Sequence, residues 1–101
     1  MKAELHIPDD HPCFEAHFPR NPIVPGALLL QWIVDQASEI FSVQIKGVKQ
    51  MKFMTLVRPG DNICVEYDMP EEKLLIKVTC VRGLETVCRG NLLLGASGED
   101  G

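Results

Sequence analysis

His17-Phe18-Pro19-Arg20-Asn21-Pro22-Ile23-Val24-Pro25-Gly26 runs directly into Ala27-Leu28-Leu29-Leu30-Gln31-Trp32-Ile33-Val34-Asp35-Gln36-Ala37-Ser38-Glu39-Ile40-Phe41, and the change of character at Gly26 decides the fold. Before it, prolines at 12, 19, 22 and 25 forbid a helix and leave an extended, kinked loop. After it nothing interrupts a helix up to about Phe41, and apolar residues cover nearly every face. Such a helix is expected to be buried. Residues 26–41 would span ~24 Å at ~1.5 Å per residue, about the thickness of a small domain, so the helix is expected to run through the core with sheet around it.

Working outward, residues 3–7 alternate apolar and polar and stop at Pro8-Asp9-Asp10, which reads as a short first strand ended by a turn. Residues 43–54, 62–69, 73–81 and 85–94 are rich in β-branched and apolar side chains at strand period. Short turn signals separate them, at Arg58-Pro59-Gly60-Asp61, Pro70-Glu71-Glu72 and Arg82-Gly83, so the strands are expected to be antiparallel. Leu74, Ile76, Val78 and Cys80 share one face, with Lys77 and Thr79 on the other. One buried helix and a strongly curved antiparallel sheet that encloses it make an α+β domain of hot-dog type. Residues 1–95 are expected to form that single domain, and residues 96–101, small and polar, a flexible C-terminal tail.

A net charge of −4 with no basic run argues against sequence-independent nucleic-acid binding. It would also repel an acidic carrier protein, so docking one calls for a local basic patch, for which Arg20, Lys46, Lys49, Lys52 and Arg58 are the candidates. Cys13, Cys64, Cys80 and Cys88 show no C-x-x-C spacing, and the first residues do not read as a signal peptide, so a reducing cytoplasm is expected. Cys80 and Cys88 could face each other across a hairpin, but are expected as buried free thiols rather than a disulfide. The apolar run 27–34 is far short of the ~20 residues a bilayer requires, so no membrane insertion is expected. His6, His11 and His17 lack companion ligands at metal spacing, so neither a metal nor another cofactor is expected.

Chemistry concentrates where the loop meets the helix. His17 and the helix start at Pro25-Gly26 are expected to lie close together. Free N–H groups of the first helical turn can polarise a thioester carbonyl, and Gly26 lets the substrate approach the backbone. Polarisation makes the α-proton acidic enough for a neutral histidine, with an ordinary pKa near ~6.5, to remove it.

The string His-Phe-Pro-x-x-Pro-x-x-Pro-Gly followed by an apolar helix resembles the signature of the β-hydroxyacyl-ACP dehydratases of the FabZ and FabA type. Val48-Lys49-Gln50-Met51-Lys52-Phe53 and Val57-Arg58-Pro59-Gly60-Asp61 look like the strand and turn that follow the helix in that family, so the resemblance covers roughly residues 13–94. It implies a hot-dog dimer that takes water from 3-hydroxyacyl thioesters of acyl-carrier protein or coenzyme A, a lyase of fatty-acid or polyene-type lipid biosynthesis. It assigns His17 as the base and the Gly26 amide as the carbonyl's partner, with Phe18 and Pro25 beside the substrate. It also places a Glu or Asp acid, contributed by the other subunit, five residues after the glycine.

Here that position is Gln31, and Asp35 stands one turn later where the family usually has glutamine, so acid and amide are exchanged along one helix face. Residues four apart are neighbours on a helix, so Gln31 and Asp35 can touch. Asp35 either takes over the acid role, through a water, or is a structural partner of Gln31 in a protein whose dehydration is weak or lost. Trp32 resembles the tryptophan of the dehydratase-like proteins of aryl-polyene clusters; it either contacts substrate or fills the core. Two rivals share the fold: an acyl-thioesterase with Asp35 as base or nucleophile, and a non-catalytic acyl-thioester binder that lost the acid.

Overall fold

The computed structural model describes residues 1–10, 23–70 and 74–95. The expectations for Cys13, His11, His17, Phe18, Arg20 and the tail 96–101 lie outside the described residues. The elements run β1 (Lys2–His6), α1 (Gly26–Phe41), β2 (Ile45–Phe53), β3 (Asn62–Asp68), β4 (Leu75–Arg82) and β5 (Glu85–Leu94). Every element read from the sequence is present, with ends shifted by one or two residues. The strands form one antiparallel sheet in the order β1-β3-β4-β5-β2, so the two strands that flank α1 in sequence become the two edges.

Strand alternation builds the core. Ile63, Val65 and Tyr67 of β3, Ile76, Val78 and Cys80 of β4, and Cys88 and Leu92 of β5 turn inward onto Leu29, Ile33 and Ala37 of α1. Cys80 and Cys88 are register partners and both are free and buried, as the hairpin reading anticipated. The hydrogen bond to Cys88, and then burial, push the Cys80 thiol well above its ordinary value. Leu74 is a correction: it precedes β4 and is 70 % exposed, so the inward face begins only at Ile76.

The five-stranded sheet curves around the buried side of α1, as the hot-dog reading expected. Leu29, Ile33 and Ala37 are buried, Leu28, Leu30, Trp32 and Val34 are half-covered, and Gln31, Asp35 and Glu39 are exposed. A five-stranded sheet leaves the outward side of the helix uncovered, and among the described residues no further strand reaches its apolar flanks. α1 ends at Ser42, which turns into the left-handed region (φ 52°) and returns its N–H to the Ser38 carbonyl.

Tyr67 fixes the roll of the helix. Its hydroxyl approaches the Gln36 Oε1 at 2.7 Å and the Ile33 carbonyl at 3.2 Å. Gln36 in turn donates from Nε2 to the Glu4 carbonyl of β1 at 2.9 Å. Burial pushes the Tyr67 phenol well above its ordinary range. The Phe41 ring meets Tyr67 edge-on, with centroids 5.9 Å apart.

β2 carries a bulge. Lys49 pairs with Asn91 and Lys52 with Arg89, which leaves Gln50 and Met51 opposite the single residue Gly90. Gln50 takes a positive φ of 57°, and a Cβ on Gly90 would stand 2.6 Å from the Met51 Cα. Only glycine fits there. The turn after β2 is fastened by Arg82, which donates to Asp61 at 2.6 Å, Glu85 at 2.9 Å and the Leu56 carbonyl at 3.0 Å.

Candidate active site

Pro25 caps the start of α1 with extended backbone (φ −59°, ψ 142°), and its carbonyl accepts from Leu28 and Leu29, both at 3.1 Å. No side chain caps this terminus and no acidic residue occupies the first turn. Among the described residues no side chain compensates the positive end of the helix dipole, a setting that favours negative charge on a bound carbonyl oxygen. The approach to it is fixed one residue earlier, where Val24 donates to the Val57 carbonyl at 2.7 Å and ties the helix entry to the loop after β2.

Pro25 and Gly26 are both exposed. The ring of Phe53, at the end of β2, lies against Gly26: a Cβ built on that glycine would be 3.5 Å from the ring, ordinary contact. Phe53 is 45 % exposed and gives the helix start an aromatic wall on one side. Sequence reasoning passed over Phe53 because nothing local predicts that the end of β2 meets the start of α1.

One and a half turns further along, Gln31 donates from Nε2 to the Asp35 Oδ1 at 2.9 Å. The i to i+4 contact expected from the sequence is made. Both side chains point away from the sheet and are exposed in the single chain. A groove of about 280 Å³ opens beside them between α1 and β2, lined by Ala27, Leu30, Gln31, Val34, Ile45 and Val48 among others. Trp32 is half-buried and packs against the core cluster. The structure therefore brings Gln31 and Asp35 together and sets Pro25 and Gly26 at the head of the same helix. It separates Trp32 from that outward face.

The expected basic patch is divided. Lys46 lines the groove beside α1, Lys49 and Lys52 stand on the opposite, outer face of the sheet, and Arg58 sits in the turn after β2. Among the described residues no cluster of His, Cys, Asp and Glu is arranged to hold a metal ion, and no helix is long and apolar enough to cross a membrane.

Against known proteins, the chain is 32 % identical over 108 residues to the 3-hydroxyacyl-[acyl-carrier-protein] dehydratase FabZ of Caldicellulosiruptor saccharolyticus, covering 91 % of this chain and 74 % of that one. It is 30 % identical over 99 residues to the FabZ of Levilactobacillus brevis, covering 86 % and 67 %. Among solved structures, the dehydratase heterocomplex ApeI:P from Xenorhabdus doucetiae superposes with a TM-score of 0.80 at 21 % identity, over 94 % of this chain and 86 % of that one. An uncharacterized protein from Erwinia carotovora subsp. atroseptica gives a TM-score of 0.72 at 20 % identity, over 93 % and 81 %. These superpositions establish the hot-dog fold. The model of the ApeI-like dehydratases matches residues 1–91, which takes in the helix, its uncapped start and the Gln31–Asp35 pair. By that match the chain belongs to the ApeI-like dehydratase family.

Proposed function

We propose that the protein is a lyase that removes water from 3-hydroxyacyl thioesters to give trans-2-enoyl thioesters. The observation that carries this reading is the family match over residues 1–91 on a helix whose N-terminus, among the described residues, has no side-chain cap and no acid in its first turn. In the reaction the thioester carbonyl sits at the first-turn amides and its oxygen gains negative charge as the α-proton leaves. His17 takes that proton. The electron pair of the broken C–H bond forms the C2–C3 double bond, the C3–O bond breaks, and Asp35 supplies the proton that lets the hydroxyl leave as water. Gln31 holds the other Asp35 oxygen. A proton relayed from His17 to Asp35 restores the starting state.

Asp35 is exposed in the single chain, so the seclusion that makes a proton donor effective must come from a second subunit laid over the outer face of α1. The apolar groove beside Gln31 and the unpaired edge of β2 support such a dimer. The relatives named above act on acyl-carrier-protein substrates or form a heterocomplex. For this chain the thioester handle is therefore a carrier protein or coenzyme A, and the second subunit a copy of itself or a related hot-dog chain.

The test is to incubate the protein with a 3-hydroxyacyl thioester and follow enoyl product and free thiol together. Enoyl product without thiol is expected. Free thiol alone would make it a thioesterase, and thioester binding with neither product would make it the non-catalytic binder that Gln31 in place of an acid could produce.

A further inference from the structure

A second concavity, of about 440 Å³, lies on the outer face of the sheet, away from α1. That volume falls in the range of small-ligand sites, ~300–1,000 Å³. Val78 turns its side chain to the core and Gly90 has none, so both contribute backbone to the floor. Lys52, Lys77 and Arg89 stand around it with Thr79 and Asn91, and no carboxylate lines it. Among the described residues none of the three cations is in an ion pair. In a chain of net charge −4 this is a concentrated positive site.

Two features say that the arrangement is not an ordinary solvated sheet face. Lys52 and Arg89 are direct cross-strand partners, and like charges placed opposite each other destabilise an antiparallel pair. Among the described residues no ion pair to either side chain offsets that cost. The β2 bulge that aligns them also depends on a glycine at 90, into whose missing side chain Met51 presses. A bulge re-aims side chains, and here it turns Lys52 and Gln50 toward one hollow. An anion between Lys52, Lys77 and Arg89 would turn the repulsion into attraction.

The occupant must be compact. Asp68 and Glu66 of β3 are the register partners of Lys77 and Thr79, so a broad acidic surface laid across the sheet would meet carboxylates one strand away. A phosphate group fits within the basic half, where an Arg guanidinium, two ammonium groups and neutral donors can share its oxygens. Lys52 precedes Phe53, whose ring lies on Gly26, so the hollow and the helix start occupy opposite faces of the same end of β2.

We propose that this concavity binds a phosphate ester, the one on the handle of the thioester substrate. The site follows from the charge arrangement alone; naming the handle as its source rests on the dehydratase reading. The test titrates the full chain at physiological ionic strength with coenzyme A, phosphopantetheine and inorganic phosphate in turn. A Lys52→Thr, Arg89→Thr double variant is compared with Lys2→Thr, which removes a cation on β1, at the far edge of the sheet.

The double variant should lose tenfold or more in coenzyme A affinity and the control about twofold or less, in keeping with loss of charge-assisted hydrogen bonds. Lys52→Thr should melt at the same temperature as the parent or above it, because a like-charge pair has been removed. Equal binding of coenzyme A and phosphopantetheine would place the shared phosphate in the hollow; binding of coenzyme A alone would place its nucleotide phosphates there. Failure of the parent protein to bind any of the three probes, unchanged affinity in the double variant, or equal losses in the control would each overturn the proposal. Coenzyme A binding that depends on Lys52 and Arg89 in a protein that does not dehydrate would overturn only the assigned reaction.

Discussion

The two faces of α1 share one backbone and one local sequence, yet they do opposite work. Leu29, Ile33 and Ala37 are at most 2 % exposed and bind the helix to the sheet. Gln31 and Asp35, on the exposed side, hydrogen-bond to each other. Stability is thus concentrated on one face and the proposed catalytic pair on the other, so each can be changed with little effect on its opposite.

Asp35→Asn should show the largest effect. Removing the acid is expected to slow enoyl formation by ~10²- to 10⁴-fold, the usual worth of general acid catalysis, while the melting temperature stays within a degree or two of the parent. Full activity in that variant would end the acid assignment. Gln31→Glu placed in the same background should recover at least part of the rate, since it returns a carboxylic acid to the same outward face. On the opposite face, Ile33→Ala should cost ~3–4 kcal/mol in denaturant unfolding, through lost burial and the cavity left behind. A cost under ~1 kcal/mol would mean that the helix is not anchored there.

Smaller effects sharpen the boundary between the faces. Tyr67→Phe removes the hydroxyl that sets the helix roll and should cost ~1 kcal/mol at neutral pH. Because burial holds the Tyr67 proton more tightly in the folded state than its ordinary value of 10.0, this residue favours folding fully below that pH, and its contribution is lost as pH rises beyond it. The parent should therefore lose stability above pH 10 more steeply than Tyr67→Phe, by up to ~1.4 kcal/mol per pH unit. Identical alkaline slopes would remove Tyr67 from that role. Least affected of all, Gln31→Ala should shift stability by no more than ~0.5 kcal/mol, as an exposed residue with one side-chain partner.

Much of this architecture was legible without coordinates, because the signals were local. Four prolines ahead of Gly26 and an uninterrupted apolar stretch behind it mark the helix, and turn residues such as Gly60 and Gly83, both at positive φ, mark the strand ends. The Gln31–Asp35 contact was readable for the same reason, since helical spacing alone brings positions four apart together. What was not readable depends on other elements. Leu28, Leu30 and Val34 look like core in a list of apolar residues, but whether a helix flank is covered depends on how many strands the sheet has on that side. Phe53 over Gly26, and Lys52 opposite Arg89, arise from the sheet order that carries β2 to the edge and from its bulge, and no short window of sequence contains both partners.

The Cys80–Cys88 pair gives the molecule a clock of its own. Both thiols are fully covered and sit at adjacent positions in the centre of the sheet, between β4 and β5. An alkylating reagent can reach them only when the helix lifts from the sheet or those strands part, so their labelling rate reads the frequency of that opening. Cys64 is only partly covered and serves as the early mark on the same time scale. Mass spectrometry of an unmodified sample would then time how often the heart of the sheet opens, and whether a bound thioester slows it, with no probe added to the protein.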